Sequence, residues 1–242
     1  MVQRELYSDL RAIPPIYVRL DGRAFHQVAR RLELKRPFDE RFSEAMIRLS
    51  QDLIGRSGLN ASFAFTFSDE ISLFVPHLPF GGRVEKIDSV FSSYAASALT
   101  IAFPLTEPVA FDARIVQAGG ESTYEYLAQR QQEAWRNFMN ASCQQVLIEE
   151  GMSSSDAADR LRGLPSAVLH ETMFARGINL SKFPAWQRRG SMVFKTGETK
   201  EGYNPLTGEK TETDRTVLAV ERDLPLFTTP EGRSFLRSLI EA

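Results

Sequence analysis

The sequence predicts an α+β fold, built on an antiparallel sheet with helices on one face and a helical C-terminal part. Three observations support this prediction. Two apolar runs are separated by only three polar residues, and two further segments have the period of an amphipathic helix. Over residues 16–116 the predicted elements follow in the order strand, helix, hairpin, helix and strand. That order corresponds to βαββαβ, the ferredoxin-like arrangement.

The first elements are a strand, a helix and a hairpin. Ile16 to Leu20 is apolar enough for a short buried strand. Asp39 is a suitable N-cap for the helix that follows, because its carboxylate can accept the first free backbone N–H groups. The apolar runs Ala61–Phe67 and Ile71–Val75 flank Ser68-Asp69-Glu70. This pattern predicts a β-hairpin with an acidic tip.

A helix and a strand complete the predicted core, and a long helix comes next. Apolar residues recur at helical spacing from Arg83 to Ala102, and Val109 to Val116 has the composition of a strand. Ser122 and Glu125 have the spacing of a capping box, which predicts the start of a long helix that ends at Gly151.

The C-terminal part contains shorter elements. We expect residues 1–242 to form a single domain, with the core over 1–150 and the C-terminal helices over 151–242. The polar, turn-rich segment 198–214 is typical of a mobile loop or a protruding hairpin. The remaining predicted elements are helices over 154–162, 165–176 and 233–241 and a strand over 190–195.

The composition excludes several classes of protein. Apolar residues make up 43% of the chain and charged residues 25%, as in ordinary globular proteins. No stretch approaches the roughly 20 apolar residues that a membrane span requires, so we expect no membrane partner. Cys143 is the single cysteine, which excludes an internal disulfide and fits the cytoplasm. The net charge of −2 excludes binding to polyanions by bulk charge alone.

The acidic positions are the most informative feature. Asp21 ends the first strand, and Asp69 and Glu70 lie at the hairpin tip. If these strands are neighbours, the carboxylates meet at one edge, and with the Gly22 carbonyl they form an oxygen-rich site suited to Mg²⁺. Two such ions about 4 Å apart stabilise both oxygens of a phosphoryl transfer. The alternative is a common Asp-Gly turn beside a solvated hairpin tip.

Basic residues near these acids could bind phosphate. Gly81-Gly82 precedes Arg83 and Lys86 at a predicted helix start, where exposed backbone N–H groups attract anions. A solvated helix start with a flexible lead is an equally good interpretation. Arg114 is a further candidate phosphate ligand, and the alternative there is an ion pair with Asp112.

The long helix offers weaker candidates. Trp135, Arg136 and Asn137 could stack on RNA or form hydrogen bonds with it, although helix packing is the default interpretation. Cys143 lies in an apolar helical stretch and is expected to be an inert core residue.

Several motifs, in the same order along the chain, resemble the tRNA-His guanylyltransferase family and its Thg-like relatives, which add nucleotides in the 3′-to-5′ direction. The resemblance covers most of the chain. The motifs are Arg19-Leu20-Asp21-Gly22-Arg23-Ala24-Phe25-His26, Arg36-Pro37, Phe67-Ser68-Asp69-Glu70, Arg83 with Lys86, Phe111-Asp112-Ala113-Arg114, Arg130-Gln131 and Arg189-Gly190-Ser191.

The resemblance implies a fold, an assembly and a metal site. The fold is a polymerase-palm-like sheet related to nucleotide cyclases, and the assembly is a homotetramer. Asp21 and Asp69 would bind two Mg²⁺ ions together with the Gly22 carbonyl, and Glu70 would lie beside them as a further catalytic residue. ATP would activate a tRNA 5′-monophosphate, and the 3′-hydroxyl of GTP would then attack the activated phosphate.

The resemblance also implies binding residues. The implied nucleotide-binding residues are Arg23, Ala24, Phe25, His26, Ser68, Arg83, Lys86 and Arg114. The implied RNA-binding residues are Arg19, Arg36, Arg130, Arg136 and Asn137.

Some positions depart from the family pattern. A His-Ile-Asn-Asn stretch of eukaryotic members appears here as Trp135-Arg136-Asn137-Phe138, Lys-Pro-Asn appears as Arg36-Pro37-Phe38, and Ala113 replaces a glycine. The segment Gly202–Pro205 is more similar to archaeal or bacterial members. We therefore expect template-dependent addition to tRNA 5′-ends, including 5′-end repair. The alternatives are a strict tRNA-His guanylyltransferase, a palm-type nucleotide cyclase or synthase, and an inactive RNA-binding protein.

Overall fold

The computed structural model describes residues 5–103, 105–203 and 210–241. In this part of the chain six strands form one antiparallel sheet, in the order β4-β1-β3-β2-β5-β6. The strands are β1 (Ile16–Gly22), β2 (Phe63–Phe67), β3 (Glu70–Val75), β4 (Phe111–Gln117), β5 (Ser191–Tyr203) and β6 (Lys210–Glu221). The predicted α+β fold with an antiparallel sheet is therefore confirmed.

Eight α-helices accompany the sheet within the described ranges, together with short 3₁₀ segments at Pro79–Gly82 and Leu180–Lys182. The helices are α1 (Phe25–Arg31), α2 (Glu40–Gly55), α3 (Val84–Ala102), α4 (Glu121–Glu149), α5 (Ser154–Leu161), α6 (Ser166–Phe174), α7 (Ala185–Arg189) and α8 (Pro230–Ile240). No helix in these ranges is long and apolar enough to cross a bilayer.

One face of the sheet is aliphatic and is covered by α2 and α3. Alternate strand residues such as Val18, Leu20 and Leu73 pack there against Leu49 of α2 and Phe91 of α3, and all five are fully buried. These two helices are the ones that the βαββαβ pattern predicted, and they lie on the same face, as expected.

The other face is aromatic and is covered by α4 and α8. Tyr17, Phe63 and Phe65 pack there with Leu127 of α4 and Leu236 of α8. Helices thus flank both faces of the sheet rather than the single face of the predicted core. The reason is the strand pattern itself, because the positions between the aliphatic residues are also large and apolar and require burial.

Of the two helix starts for which capping residues were predicted, one is confirmed and one is wrong. Asp39 caps α2 as expected, and its Oδ1 accepts a hydrogen bond from the Arg41 backbone N–H at 2.8 Å. The predicted Ser122/Glu125 capping box is wrong. The Ser122 hydroxyl donates to the Gly119 carbonyl at 2.8 Å, and the Thr123 hydroxyl accepts from the Gly119 N–H at 2.9 Å, so the Gly119-Gly120 turn organises this end.

The C-terminal hairpin was predicted only in part. The strand predicted over 190–195 continues to Tyr203 and pairs with β6 from Met192↔Glu221 to Tyr203↔Lys210, so the hairpin alternative for segment 198–214 is confirmed. Its side chains over 195–200 and 212–216 are exposed and mostly polar, which is why no strand pattern was visible for β6. Asn204 and Pro205 lie outside the described residues.

Candidate active site

The predicted acidic residues converge at one end of the sheet. Asp21 lies directly opposite Glu70 in the β1–β3 pairing, so both side chains are on the α4 face. The Gly22 N–H donates to the Asp69 carbonyl at 3.1 Å, which holds the hairpin tip against the end of β1. The sequence prediction that these strands are neighbours, with their carboxylates together, is confirmed.

Asp69 is in an unfavourable electrostatic environment. Burial raises its pKa, and the nearby charge of Asp21 raises it further, while the Ser68 hydroxyl and His26 act in the opposite direction. The Ser68 hydroxyl donates to Asp69 Oδ1 at 3.0 Å. No ion pair among the described residues involves Asp21 or Asp69. A cation between the two carboxylates would therefore relieve their mutual repulsion.

Glu70 has a different partner. Its Oε2 accepts a hydrogen bond from Arg130 Nη1 at 3.3 Å, and the residue is only 8% exposed. Burial raises the pKa of Glu70 to about 7, against the attraction of Arg130 and Arg19. Its Oε1 has no hydrogen-bond partner among the described residues. Arg130, a predicted RNA-binding residue, thus points inward to a carboxylate.

The donor set fits a magnesium site of the kind that substrate phosphates complete. In the described ranges there is no cluster of three or more His, Cys, Asp and Glu side chains that could hold a metal. Asp21 and Asp69 supply two carboxylates, and Mg²⁺ commonly binds one or two carboxylates and takes its other ligands from phosphates and water. Gly22 permits close backbone approach here, since a Cβ at this position would lie 2.5 Å from the Phe25 ring.

A cavity of about 530 Å³ opens beside Asp69 and is lined further by residues of α4 and α7. Gly22 and Asp69 line one end of it, and Gln144 and Trp186 also line it. Sites for small molecules commonly have a volume of this order. The other predicted site residues in its wall are Ala24, Phe25, His26, Ser68, Arg36 and Asn137.

Arg83 and Lys86 are not brought to this end of the sheet. The backbone of Arg83 forms an isolated β-bridge with that of Arg11, which precedes the start of β1. Asp21 is at the other end of β1. The two ends are about 17 Å apart at the rise of an antiparallel strand. Arg83 pairs with Glu85 at 2.6 Å, and Lys86 Nζ lies 5.6 Å from the centroid of the Phe80 ring. Within one chain, these residues are remote from the carboxylates.

The remaining predicted basic residues do not line the cavity. Arg114 is opposite Arg19 in the β1–β4 pairing and forms an ion pair with Asp112 at 3.2 Å, which is the alternative that the sequence left open. Arg19 Nε is buried without a hydrogen-bond partner in the described ranges. Arg23 and Arg136 are exposed and do not line the cavity.

Sequence reasoning missed part of the cavity wall. Asn140 and Gln144 extend the face of α4 that includes Asn137, and their spacing of three and four residues could have revealed a polar stripe. Trp186 and Gln187 lie on α7, a helix of only five residues that carries no periodic signal.

Comparisons with known proteins agree with the resemblance seen in the motifs. Residues 2–119 match the family model described as "Thg1: tRNAHis guanylyltransferase". A probable tRNA(His) guanylyltransferase of Dictyostelium discoideum is 30% identical over 192 residues, which cover 74% of this chain and 75% of the relative. The tRNA(His) guanylyltransferase of Saccharomyces cerevisiae is 28% identical over 197 residues, covering 76% and 83% of the two chains.

Solved structures share the fold. A bacterial tRNA(His) guanylyltransferase (Thg1)-like protein in complex with GTP superimposes with a TM-score of 0.69 at 21% identity, over 97% of this chain and 94% of that chain. Its complex with ATP gives 0.72 at 21% identity, over 97% and 95%. The Saccharomyces cerevisiae enzyme gives 0.65 at 24% identity, over 76% and 89%. The palm-like fold expected from the motifs is therefore confirmed.

Proposed function

This chain belongs to the tRNA(His) guanylyltransferase family of nucleotidyltransferases, and on that premise we propose that it adds nucleotides to the 5′-end of tRNA in the 3′-to-5′ direction under control of the opposite strand. The observation that carries the proposal is the proximity of Asp21 to Asp69, together with a cavity of about 530 Å³ that Asp69 and Gly22 line. GTP and ATP are the proposed nucleotide substrates, and the acceptor is a tRNA with a 5′-phosphate.

The proposed chemistry is a pair of phosphoryl transfers. The tRNA 5′-monophosphate first attacks the α-phosphate of ATP and displaces pyrophosphate, and the 3′-hydroxyl of the incoming nucleotide then attacks the activated 5′-phosphate and displaces AMP. Such reactions depend mainly on positioning and on neutralisation of charge. When bound, two Mg²⁺ ions would supply that neutralisation at the attacking and leaving oxygens, held by the Asp21 and Asp69 carboxylates and the Gly22 carbonyl.

The other residues of the site position the reacting groups. His26 and Ser68 line the cavity at the carboxylate end, next to where the phosphates would lie. The Ser68 hydroxyl hydrogen bond to Asp69 orients that carboxylate. Arg130 holds Glu70 beside Asp21.

Selection of the added nucleotide comes from base pairing in this proposal. A protein that reads the shape and the 5′-phosphate of its RNA has no need to read an anticodon. The departures at Trp135-Arg136-Asn137-Phe138 favour this mode over strict selection of tRNA-His. We further propose that residues 1–242 act as one catalytic unit in a cytoplasmic homotetramer, in which Arg83, Lys86 and Arg114 handle triphosphate.

An extension assay tests the proposal. Purified protein with Mg²⁺, ATP and all four nucleoside triphosphates is given a 5′-monophosphorylated tRNA-His transcript that lacks the extra 5′ guanosine, or a different tRNA that lacks its first nucleotide. Addition of the templated base to the truncated tRNA is the expected result. Extension of tRNA-His alone would restrict the activity to guanylyl addition. A cyclic product from free nucleotides, or RNA binding without any extension, would contradict the proposal.

A further inference from the structure

The buried stripe of α4 contains one amide side chain. Leu127, Ala134 and Phe138 are apolar and almost fully buried, and Gln131 lies among them at helical spacing with 5% of its surface exposed. Burial of a carboxamide in an apolar layer is unfavourable unless both its donor and its acceptor are satisfied. An apolar side chain would fill this position without that requirement, so the amide indicates a specific contact.

Both groups of the amide bind the backbone of the segment that joins β6 to α8, residues 222–229. Gln131 Nε2 donates to the Pro225 carbonyl at 2.9 Å, and its Oε1 accepts from the Phe227 N–H at 2.8 Å. The two bonds form together only when α4 has one rotation and one position along its axis. A single buried polar residue in an apolar stripe fixes the register of packed helices in the same way.

The segment is itself fixed to the hairpin that carries Asp69. The Phe227 ring packs edge-to-face on the Phe65 ring of β2, with 5.7 Å between the centroids, and Phe227 is almost fully buried. Arg189 Nη1 donates to the Leu224 carbonyl at 2.8 Å and holds the segment from the side of α7. The two Gln131 bonds therefore set the position of α4 relative to β2.

Arg130, the residue before Gln131, depends on that position. Its guanidinium carbon lies 5.9 Å from the centroid of the Tyr126 ring, one turn earlier on α4, so the side chain is held against its own helix. Its Nη1 reaches Glu70 Oε2 at 3.3 Å, which is long for a charged hydrogen bond. A shift of α4 by about 1 Å would therefore take the two atoms beyond hydrogen-bond distance.

Loss of this contact would change the charge beside the candidate catalytic carboxylates. Glu70 is opposite Asp21 in the β1–β3 pairing, and Arg130 is the cation with which it forms an ion pair within the described ranges. Glu70 Oε1 has no hydrogen-bond partner there. Without Arg130, the Glu70 carboxylate would repel Asp21 and compete with it for a bound cation.

We propose that Gln131 is a positioning residue for the nucleotidyl transfer. Its two hydrogen bonds to the segment 222–229 fix the position of α4, and α4 in turn holds Arg130 on Glu70. This role rests on the proposed function, because the acidic residues at the end of β1 and at the hairpin tip are taken as the catalytic groups. Gln131 does not line the cavity, so it acts on the transfer without contact with the nucleotide.

The rate of transfer distinguishes this role from a merely structural one. Gln131→Met keeps the length of the side chain and removes both hydrogen bonds. The single-turnover rate of tRNA extension per folded molecule is expected to fall about tenfold to a hundredfold, because a misplacement of about 1 Å has an effect of that size. The Kd for ATP is expected to stay unchanged. Gln132→Met, the same change at an exposed amide of α4, is the control and should alter neither quantity.

Two results of that measurement would overturn the proposal. One is an unchanged rate in Gln131→Met protein that is folded as judged by circular dichroism. The other is a loss of ATP affinity that accounts for the whole loss of rate, since Gln131 would then act on binding.

A double-mutant cycle shows whether Gln131 acts through Arg130. Arg130→Met alone is expected to lower the rate of extension. Addition of Gln131→Met to that variant should lower the rate by less than about twofold more, because the ion pair with Glu70 is already lost. If the two effects multiply, Gln131 acts by another route and the proposal fails.

The same cycle in denaturant titrations needs no tRNA. Arg130→Met should shift the midpoint of unfolding in the parent protein, and by less than about half as much in Gln131→Met. Equal shifts in the two backgrounds would overturn the positioning role. If the parent extends no tRNA but this coupling is present, the proposed function fails while the link from Gln131 to Arg130 stands. Extension by the parent without the coupling would refute the positioning role alone.

Discussion

The two faces of the sheet are made by the same strands but carry different chemistry. Under α2 and α3 the face is mostly aliphatic, with Val18 and Leu20 of β1 as examples. Under α4 the face changes along the same strand, from aromatic at Tyr17 to charged at Arg19 and Asp21. The difference shows that the α2/α3 face is built mainly by apolar packing, while the α4 face is apolar at one end and carries the candidate catalytic carboxylates at the other.

Several polar groups of the α4 face are hydrogen-bonded to the helix above it. Arg130 of α4 pairs with Glu70, and the Tyr126 hydroxyl shares a hydrogen bond of 2.9 Å with the Ser72 hydroxyl. The Tyr17 hydroxyl donates to the Thr123 carbonyl at 3.0 Å. Since unpaired buried polar groups are costly, this pairing is what allows charged residues to lie under a helix. The α4 face is therefore sensitive to charge, and the α2/α3 face is sensitive to volume.

The largest expected effect is the loss of activity when a carboxylate of the candidate site is neutralised. Asp69→Asn keeps the shape of the side chain but removes a charge that would hold a cation, so extension of tRNA should fall by at least about a thousandfold, equivalent to several kcal/mol of transition-state stabilisation. The matched control is Asp88→Asn, which alters a half-buried carboxylate on α3, the helix of the other face. If Asp69→Asn extends tRNA as well as Asp88→Asn does, the carboxylates at the end of the α4 face are not the catalytic groups.

The next effect is on stability at the aliphatic face. Leu73→Ala removes a fully buried side chain of β3 and should lower the free energy of unfolding by about 2–5 kcal/mol, because a cavity remains. Denaturant titration measures this loss, and activity per folded molecule should stay close to that of the parent. Val220→Ala, at a position that is 38% exposed, is the control and should change stability by less than about 0.5 kcal/mol. A stable but inactive Leu73→Ala protein would contradict the division of roles.

Glu70 should make the stability of the metal-free protein depend on pH. Its pKa of about 7 in the folded state is above the ordinary 4.5, so the protonated form favours folding. The stabilisation is fully present below about pH 4.5 and is lost as the pH rises through 7, by about 3 kcal/mol in total. Unfolding titrations from pH 4.5 to 8 in a chelator should show this slope in the parent and a smaller slope in Glu70→Gln. If the free energy of unfolding has the same pH dependence in the parent and in Glu70→Gln, Glu70 is not the group with the raised pKa.

The smallest effect concerns one hydrogen bond between the polar end of the sheet and α4. Tyr126→Phe leaves the Ser72 hydroxyl without its partner and should cost about 1 kcal/mol of stability. Tyr124→Phe, on the same helix, is the control, because its hydroxyl forms no hydrogen bond with a side chain or backbone group of the described residues. Equal stabilities of the two variants in denaturant titrations would show that the polar pairs do not hold α4 in place.

The order of the core elements and the proximity of the acidic residues could be predicted from the amino-acid sequence alone. Strands and amphipathic helices have periods of two and 3.6, so the runs around Asp69 and the helix after Asp39 were recognisable locally. The meeting of Asp21 with Asp69 followed from the βαββαβ order, which makes their strands neighbours. The series of motifs from Arg19 to Arg114 also indicated the family, because the order and identity of those residues are properties of the sequence.

Which basic and polar residues lie near the acidic residues could not be predicted from the sequence and depends on how the elements pack. Arg83 and Lys86 share a motif with good phosphate chemistry, yet α3 begins at the far end of the strands from Asp21. Arg130 turned out to face Glu70, and Trp186 reached the cavity from a five-residue helix. The physical reason is that these placements depend on how helices pack across the sheet, through contacts between residues far apart in the chain. The spacing of apolar residues in the sequence indicates which side chains share one face of a helix or strand. It does not indicate which other element packs against that face.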